Sequence, residues 1–206
     1  MKREWQGADW INAGAALIAQ DPRLAARLIR AGLRISPDQP LGWFNLGLAL
    51  HQQKRIAEAI CAYRLSLEQP SGHEQALTNN LSQDLLLSGA MAEGWQLYEQ
   101  RRELAKHSFF EQNLGPSWRG PEDARGRPET LLLVSEQGLG DTIQFSRFGL
   151  VLQELGYRVE LFCQHPLVEL LRRCSGLRHV INAWDPGRAS GSTAWVPLMS
   201  LPHRLG

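Results

Sequence analysis

The chain has 206 residues, 43% of them hydrophobic and 21% charged, an ordinary globular balance with room for one large or two small domains. Lys and Arg number 22 against 21 Asp and Glu, a formal charge of +1, which supplies no electrostatic drive toward nucleic acid or an anionic membrane. Cys61, Cys163 and Cys174 have no metal-ligand spacing, and an odd count argues against a disulfide framework. A cytoplasmic protein with no metal and no cofactor is therefore expected.

The opening "MKREWQGADWINAGAALIAQ" has basic residues and a short apolar run. Asn12 interrupts that run and "DPRLAARLIR" continues it with helical periodicity, which disfavours a signal peptide. No segment is long enough to span a bilayer.

The first half repeats. "WINAGAAL" at 10–17 matches "WFNLGLAL" at 43–50: Trp10 with Trp43, Asn12 with Asn45, Gly14 with Gly47, Leu17 with Leu50, an offset of 33. The following stretches match at 34, pairing Ala25 with Ala59, Ile29 with Tyr63 and Leu33 with Leu67, and the units close on Pro37 and Pro70. A third unit runs from Ala76 to Arg101, with Leu81 and Tyr98 at an offset of 35 from Leu46 and Tyr63, and Gly89 at the turn. Small Gly47 and Ala59 let two antiparallel helices approach. Trp43, Leu46 and Tyr63 fill the space between them, and Pro70 stops the second helix because it has no N–H to donate.

Period and residue types resemble the tetratricopeptide repeat, W-x-x-L-G-x-x-Y, then A-x-x-x-F, then P, carried here by Trp43, Leu46, Gly47, Leu50, Ala59, Tyr63 and Pro70. Leu50 and Tyr63 depart conservatively, and the proline arrives one residue early. Three units meet the usual minimum for a stable stack. The resemblance implies that first helices line a concave groove. Asn12, Asn45 and Asn80 take equivalent places on those helices. They resemble the asparagine ladder with which some protein-modifying glycosyltransferases hold a peptide backbone, and an amide suits this because it both donates and accepts. The alternative is three solvated or locally bonded polar residues. The aromatic residues at helical spacing read as core.

Residues 105–130 are punctuated by Gly115, Pro116, Gly120, Pro121, Gly126 and Pro128 and read as a linker. Phe109, Phe110 and Trp118 are too apolar for a free one, so it should pack back on the domains. Arg119, Arg125 and Arg127 are interspersed with acids and read as a solvated surface rather than an anion site.

From Thr130 the pattern changes. "TLLLVS" is a buried-strand candidate. "DTIQFSRFGLVLQELG" places Ile143, Phe145, Phe148, Val151, Leu152 and Leu155 largely on one helical face, ended by Gly156. "YRVELFC" is a second strand and "HPLVELLRRCSG" a second helix with Pro166 in its first turn. "HVINA" and "AWVPLMS" are further strands. Alternation of this kind predicts a parallel sheet with right-handed crossovers. The loop Gly138-Leu139-Gly140-Asp141 then follows the first strand, where open α/β sheets bind ligands. A dinucleotide fingerprint fails because Ile143 stands at its last glycine, and the G-K-[ST] of a P-loop is absent.

"WRG" at 118–120, "LLLVSEQGLGDTIQFSRF", the Q-x-P-L of Gln164 to Leu167, and "PLMSLP" at 197–202 together resemble a bacterial family. Its members carry tetratricopeptide repeats ahead of a GT-B glycosyltransferase-like domain, and are distantly similar to heptosyltransferases. The resemblance implies an α + α/β fold: a tetratricopeptide-like domain over 1–107, a linker packing on the domains over 108–129, and a Rossmann-like unit over 130–206 forming the first half of a GT-B domain. It implies that Asp141 is the general base for an acceptor hydroxyl, which is a poor nucleophile until deprotonated. Glu136, Gln137 and Gln144 are then placed to orient Asp141 or the acceptor. Gly138 and Gly140 would permit unusual backbone angles and leave room for ligand. Helix capping is the structural alternative for Asp141.

In GT-B enzymes a second Rossmann domain holds the nucleotide-sugar donor. The chain is therefore expected to be the first part of a longer enzyme, or a truncated relative that kept the repeats and lost catalysis. The partners implied are a protein or peptide in the repeat groove and a nucleotide-sugar held by a missing domain. The competing reading is a non-catalytic protein–protein interaction module.

Overall fold

The computed structural model describes residues 5–70, 72–103, 113–174, 176–183 and 193–206. The chain divides into two compact units, Met1–Leu104 and Ala105–Gly206.

The first unit is three helical hairpins: α1 (Gly7–Ala15) with α2 (Pro22–Ile35), α3 (Pro40–Gln52) with α4 (Ile56–Leu67), and α5 (Glu74–Ser88) with α6 (Met91–Tyr98). Each hairpin stacks on the next through α2 against α3 and α4 against α5. Local chemistry sets the ends. Asp21 Oδ1 accepts from the N–H groups of Arg23 and Leu24 at 3.1 and 2.9 Å, with Pro22 in the first turn of α2. Gly89, at φ +86°, closes α5 in the left-handed conformation that a residue with Cβ disfavours.

One continuous core joins the hairpins, with Ile11, Ile29, Leu46, Leu50, Tyr63, Leu77 and Leu81 all buried. The predicted close approach is real. A Cβ on Gly47 would collide with the Tyr63 ring, and one on Gly14 with Ile29 and the Ala25 carbonyl. A polar pair, absent from the sequence reading, links α3 to α5: His51 Nδ1 and Asp84 Oδ1 lie 2.6 Å apart, with Asp84 fully buried and His51 half-buried. The Tyr63 hydroxyl and Asp84 Oδ2 are buried without a protein partner. Burial, helped by the negative charge of Asp84, pushes Tyr63 well above the ordinary phenol range.

The second unit holds β1 (Thr130–Val134), β2 (Arg158–Phe162), β3 (His179–Ile181) and β4 (Thr193–Pro197) in the order β3-β2-β1-β4, every pair parallel. This is a Rossmann-like sheet with β1 inside it. Leu131, Leu132, Leu133 and Val134 are all buried, as befits a parallel strand covered on both faces. The strand predicted over 194–200 ends at Pro197. Leu198–Ser200 turns as a 3-10 helix instead, leading into a last short helix, Leu201–Leu205.

The single helix predicted after the glycine loop is two, α7 (Leu139–Phe145) and α8 (Phe148–Glu154), broken at Ser146 and Arg147. The break rotates the buried face. Thr142, Phe145, Ser146, Gly149 and Leu152 are buried, whereas Ile143, Val151 and Leu155, expected on one face with Phe145 and Leu152, are exposed. Gly149 sits there because a Cβ would strike Leu177. A sequence pattern counts apolar residues; the sheet accepts whichever face has the small residue that allows approach.

Residues 113–129 fasten onto the sheet unit. Trp118 is 1% exposed and edge-on to Tyr157. Its N–H donates to the Trp195 carbonyl, and Trp195 Nε1 donates to the Gly115 carbonyl, both at 2.7 Å. Phe109 and Phe110 lie outside the described residues. Arg119, Arg125 and Arg127 are exposed, as expected of surface charge, but Arg125 and Arg127 are also tied to the backbone. Arg125 donates to the carbonyls of Pro116 and Ser117 at 2.6 and 2.7 Å and pairs with Asp123 at 2.6 Å. Arg127 lies 4.4 Å over the Tyr157 ring and donates to the Leu155 carbonyl at 2.6 Å. Asp123 also accepts from the N–H groups of Arg119 and Arg125. These donors, chiefly the Arg125 guanidinium, hold its carboxyl well below the usual carboxylate range.

Candidate functional site

Strand order locates the site. The chain runs from β1 outward to β2 and β3, then returns to β4 on the other side of β1. The order reverses between β1 and β4, so the crevice of an open α/β sheet lies at the carboxyl ends of those two strands. The segments there are 135–139 after β1 and Leu198–Ser200 after β4. Glu136 Oε1 spans them, accepting the Met199 N–H at 3.2 Å. This bond links the two sides of the crevice.

Asp141 is the third residue of α7, and its Oδ2 accepts the Gly138 N–H at 3.2 Å. The carboxylate thus satisfies one of the free amides of a helix start and lies where the helix dipole favours negative charge. Asp141 is half-buried, and among the described residues its Oδ1 has no protein partner. The neighbouring loop is clamped from β2. Gln164 Nε2 donates to the Gln137 carbonyl at 2.7 Å, and Gln164 Oε1 lies 3.0 Å from Thr142 Oγ1, itself 3.2 Å from the Gly138 carbonyl.

The glycines behave differently from the expectation of unusual angles. Gly138 sits at φ −65°, ψ 168°, and Gly140 is an ordinary residue of α7, so neither needs the left-handed region. A Cβ on Gly138 would meet Asp141 Oδ2 only at 3.4 Å, an ordinary contact, and one on Gly140 would meet nothing within 4 Å. A Cβ on Gly138 would stand beside the Asp141 carboxylate, and one on Gly140 would face open space. Gln137 and Gln144 are exposed on the same segment. The sequence reading missed the clamp made by Thr142 and Gln164. Its signal was present, since Gln164 opens the Q-x-P-L string, but only the pairing of β2 beside β1 shows what that glutamine reaches.

The cavity lined by Trp118, Arg125, Arg127 and Thr193, about 380 Å³, opens at the other end of the sheet, where β1 and β4 begin. It is separate from the glycine loop.

In the repeat unit Asn12, Asn45 and Asn80 fall on α1, α3 and α5. Asn12 is exposed, and Asn45 and Asn80 are half-buried. Asn80 Nδ2 donates to the Ala76 carbonyl one turn back at 2.8 Å, leaving its amide oxygen available. Among the described residues no group of three or more His, Cys, Asp or Glu could hold a metal ion. No helix among them is long and apolar enough to cross a membrane.

No family model matches the chain. Protein FlbA of Caulobacter vibrioides is 29% identical over 117 residues, which cover 55% of this chain and 19% of FlbA. A K341M mutant of the O-GlcNAc transferase of Thermobaculum terrenum overlays 88% of this chain and 43% of its own, at 15% identity and a TM-score of 0.42, too low an overlap to carry an argument about activity. The chain thus spans about a fifth of the curated relative it matches.

Proposed function

We propose that the chain is the repeat and acceptor-side part of a nucleotide-sugar-dependent glycosyltransferase of GT-B type. The observation that carries this reading is the carboxylate of Asp141 at the switch point of the sheet, next to two glycines that neither backbone strain nor packing requires. Asp141 Oδ2 is held by the Gly138 N–H, and Oδ1 is left to take the proton of an acceptor hydroxyl. As that O–H bond breaks, the oxygen bonds to the anomeric carbon of the donor sugar and the nucleoside diphosphate leaves with the electron pair. Glu136 and the Thr142–Gln164 clamp hold the loop, while Gln137 and Gln144 contact the acceptor. Asn12, Asn45 and Asn80 bind the backbone of the polypeptide partner along the first helices. The donor belongs to a second Rossmann domain, beyond the single sheet of the described residues.

A non-catalytic interaction module is the second reading, favoured by the bond from Gly138 to Asp141, which a purely structural cap would also make. Asp141→Asn separates the two. The amide oxygen can still accept from Gly138, so the thermal melt should fall only slightly, by the loss of a charge at the helix start. In the full-length protein carrying this segment, transfer from nucleotide sugars should fall by about 10²–10⁴-fold. Turnover near normal would leave Asp141 as a cap only.

A further inference from the structure

The α2 helix carries Arg23, Arg27, Arg30 and Arg34, at steps of four, three and four. At 3.6 residues per turn that spacing lays four guanidiniums along one side. The other side, with Ala25, Ala26, Ile29 and Leu33, is buried in the repeat core. From Pro22 to Gln53 the sole acidic residue is Asp38. Glu58 of α4 is 3.1 Å from Arg30 and is shared with Arg55 at 2.7 Å. Among the described residues Arg23, Arg27 and Arg34 pair with no carboxylate, and all three are exposed. Like charges three and four residues apart work against a helix, offset here only by the Arg30–Glu58 pair and by Arg34 in the last turn.

The row borders two hollows. One, of about 640 Å³, lies between α2 and α3 and is lined by Leu24, Leu28 and Ala31 with Trp43, beside Arg27, Arg30 and Arg34. The other, of about 410 Å³, is lined by Arg23, Arg27, Arg30, Gln53 and Arg55. Arg27 and Arg30 line both, so the two adjoin as a trough along the arginine row, apolar on the side that meets α3.

We infer that this trough docks an extended acidic peptide of a partner protein. Its carboxylates meet Arg23, Arg27 and Arg34, and its aliphatic side chains lie against Leu24, Leu28 and Trp43. A guanidinium presents paired donors matched to a carboxylate. Eleven residues of helix span roughly 17 Å, the reach of about five extended residues. The apolar side and the chain's near-zero net charge favour a peptide over nucleic acid, whose binders carry a broad basic face. The site involves neither the asparagines of the first helices nor Asp141.

The test is fluorescence anisotropy of the 206-residue chain with a labelled twelve-residue peptide of glutamate pairs alternating with leucine. Binding should weaken as salt rises. The exposed double substitution Arg27→Ala/Arg34→Ala should leave the thermal melt unchanged and weaken binding at least about tenfold. Glu58→Gln, which frees Arg30 and Arg55, should tighten it, and substitution of Asn12, Asn45 and Asn80 should not alter it. Absence of binding, or indifference to the arginine pair or to Glu58, overturns the inference. So does equal affinity for a serine-for-leucine peptide or for a single-stranded oligonucleotide of the same charge.

Discussion

The glycines of the two units answer to different demands. In the repeats Gly7, Gly14, Gly32, Gly47 and Gly94 each sit where a Cβ would come within 3 Å of a neighbouring helix. At the carboxyl end of the sheet Gly138 and Gly140 have ordinary room. The first set is explained by packing alone, because interiors tolerate little added volume. The second set is not, and a glycine that the fold does not demand points outward, to whatever approaches the loop. A similar contrast separates the two ends of the sheet. Near the start of β1 and β4 Arg125 is bonded to Asp123 and to the Ser117 carbonyl, and the Trp118 N–H to the Trp195 carbonyl, whereas at the far end Asp141 Oδ1 has no partner among the described residues.

Four substitutions can break or sharpen this contrast. Asp123→Ala should cost about 3 kcal/mol, since it strips Arg125 of its carboxylate and two backbone amides of their acceptor. The same carboxyl gives the closed end a pH dependence. Its pKa is depressed in the fold, so its contribution is present above the unfolded value of about 4 and is lost as pH falls below it. Acid titration followed by circular dichroism should show wild type losing stability below that point and Asp123→Ala losing less. Next, Gly47→Ala should cost about 2 kcal/mol by forcing the Tyr63 ring aside, read as a lower denaturant midpoint.

Tyr63→Phe should change stability by under about 1 kcal/mol, because the hydroxyl it removes is buried without a protein partner. A larger loss would show that the hydroxyl is bonded in solution. The smallest effect belongs to the open loop. Gly140→Ala should raise stability by about 0.5 kcal/mol, since alanine is the better helix residue and meets nothing there. A clear destabilisation would mean that packing requires this glycine after all, and the distinction between the two sets would fall.

The hairpins were legible because their determinants are local and repeated. Trp43, Gly47, Ala59 and Tyr63 lie within one unit, and their spacing reports the helix period directly. The glycine loop was legible as a loop after a strand, but its role was not. That the loop sits at the switch point depends on β4 returning beside β1, a pairing between residues about sixty positions apart. The split of α7 from α8, and the inward turn of Thr142 and Gly149, depend equally on what the sheet presents to them. Arg125 and Arg127 are the surface charges that they looked like, but the carbonyls that they bind have no signature in sequence.

By itself the sequence determined the repeat period, the change from helical hairpins to alternating strands and helices, and the placing of Asp141 at a helix start. Each of these rests on side-chain periodicity or backbone chemistry within a few residues. Tertiary structure alone decided the strand order, the clamp of Gln164 on the glycine loop, the pairing of His51 with the buried Asp84 and the trough beside the arginines of α2. Each of those is a contact between distant segments, and the energy that selects it exists only once the chain has closed on itself.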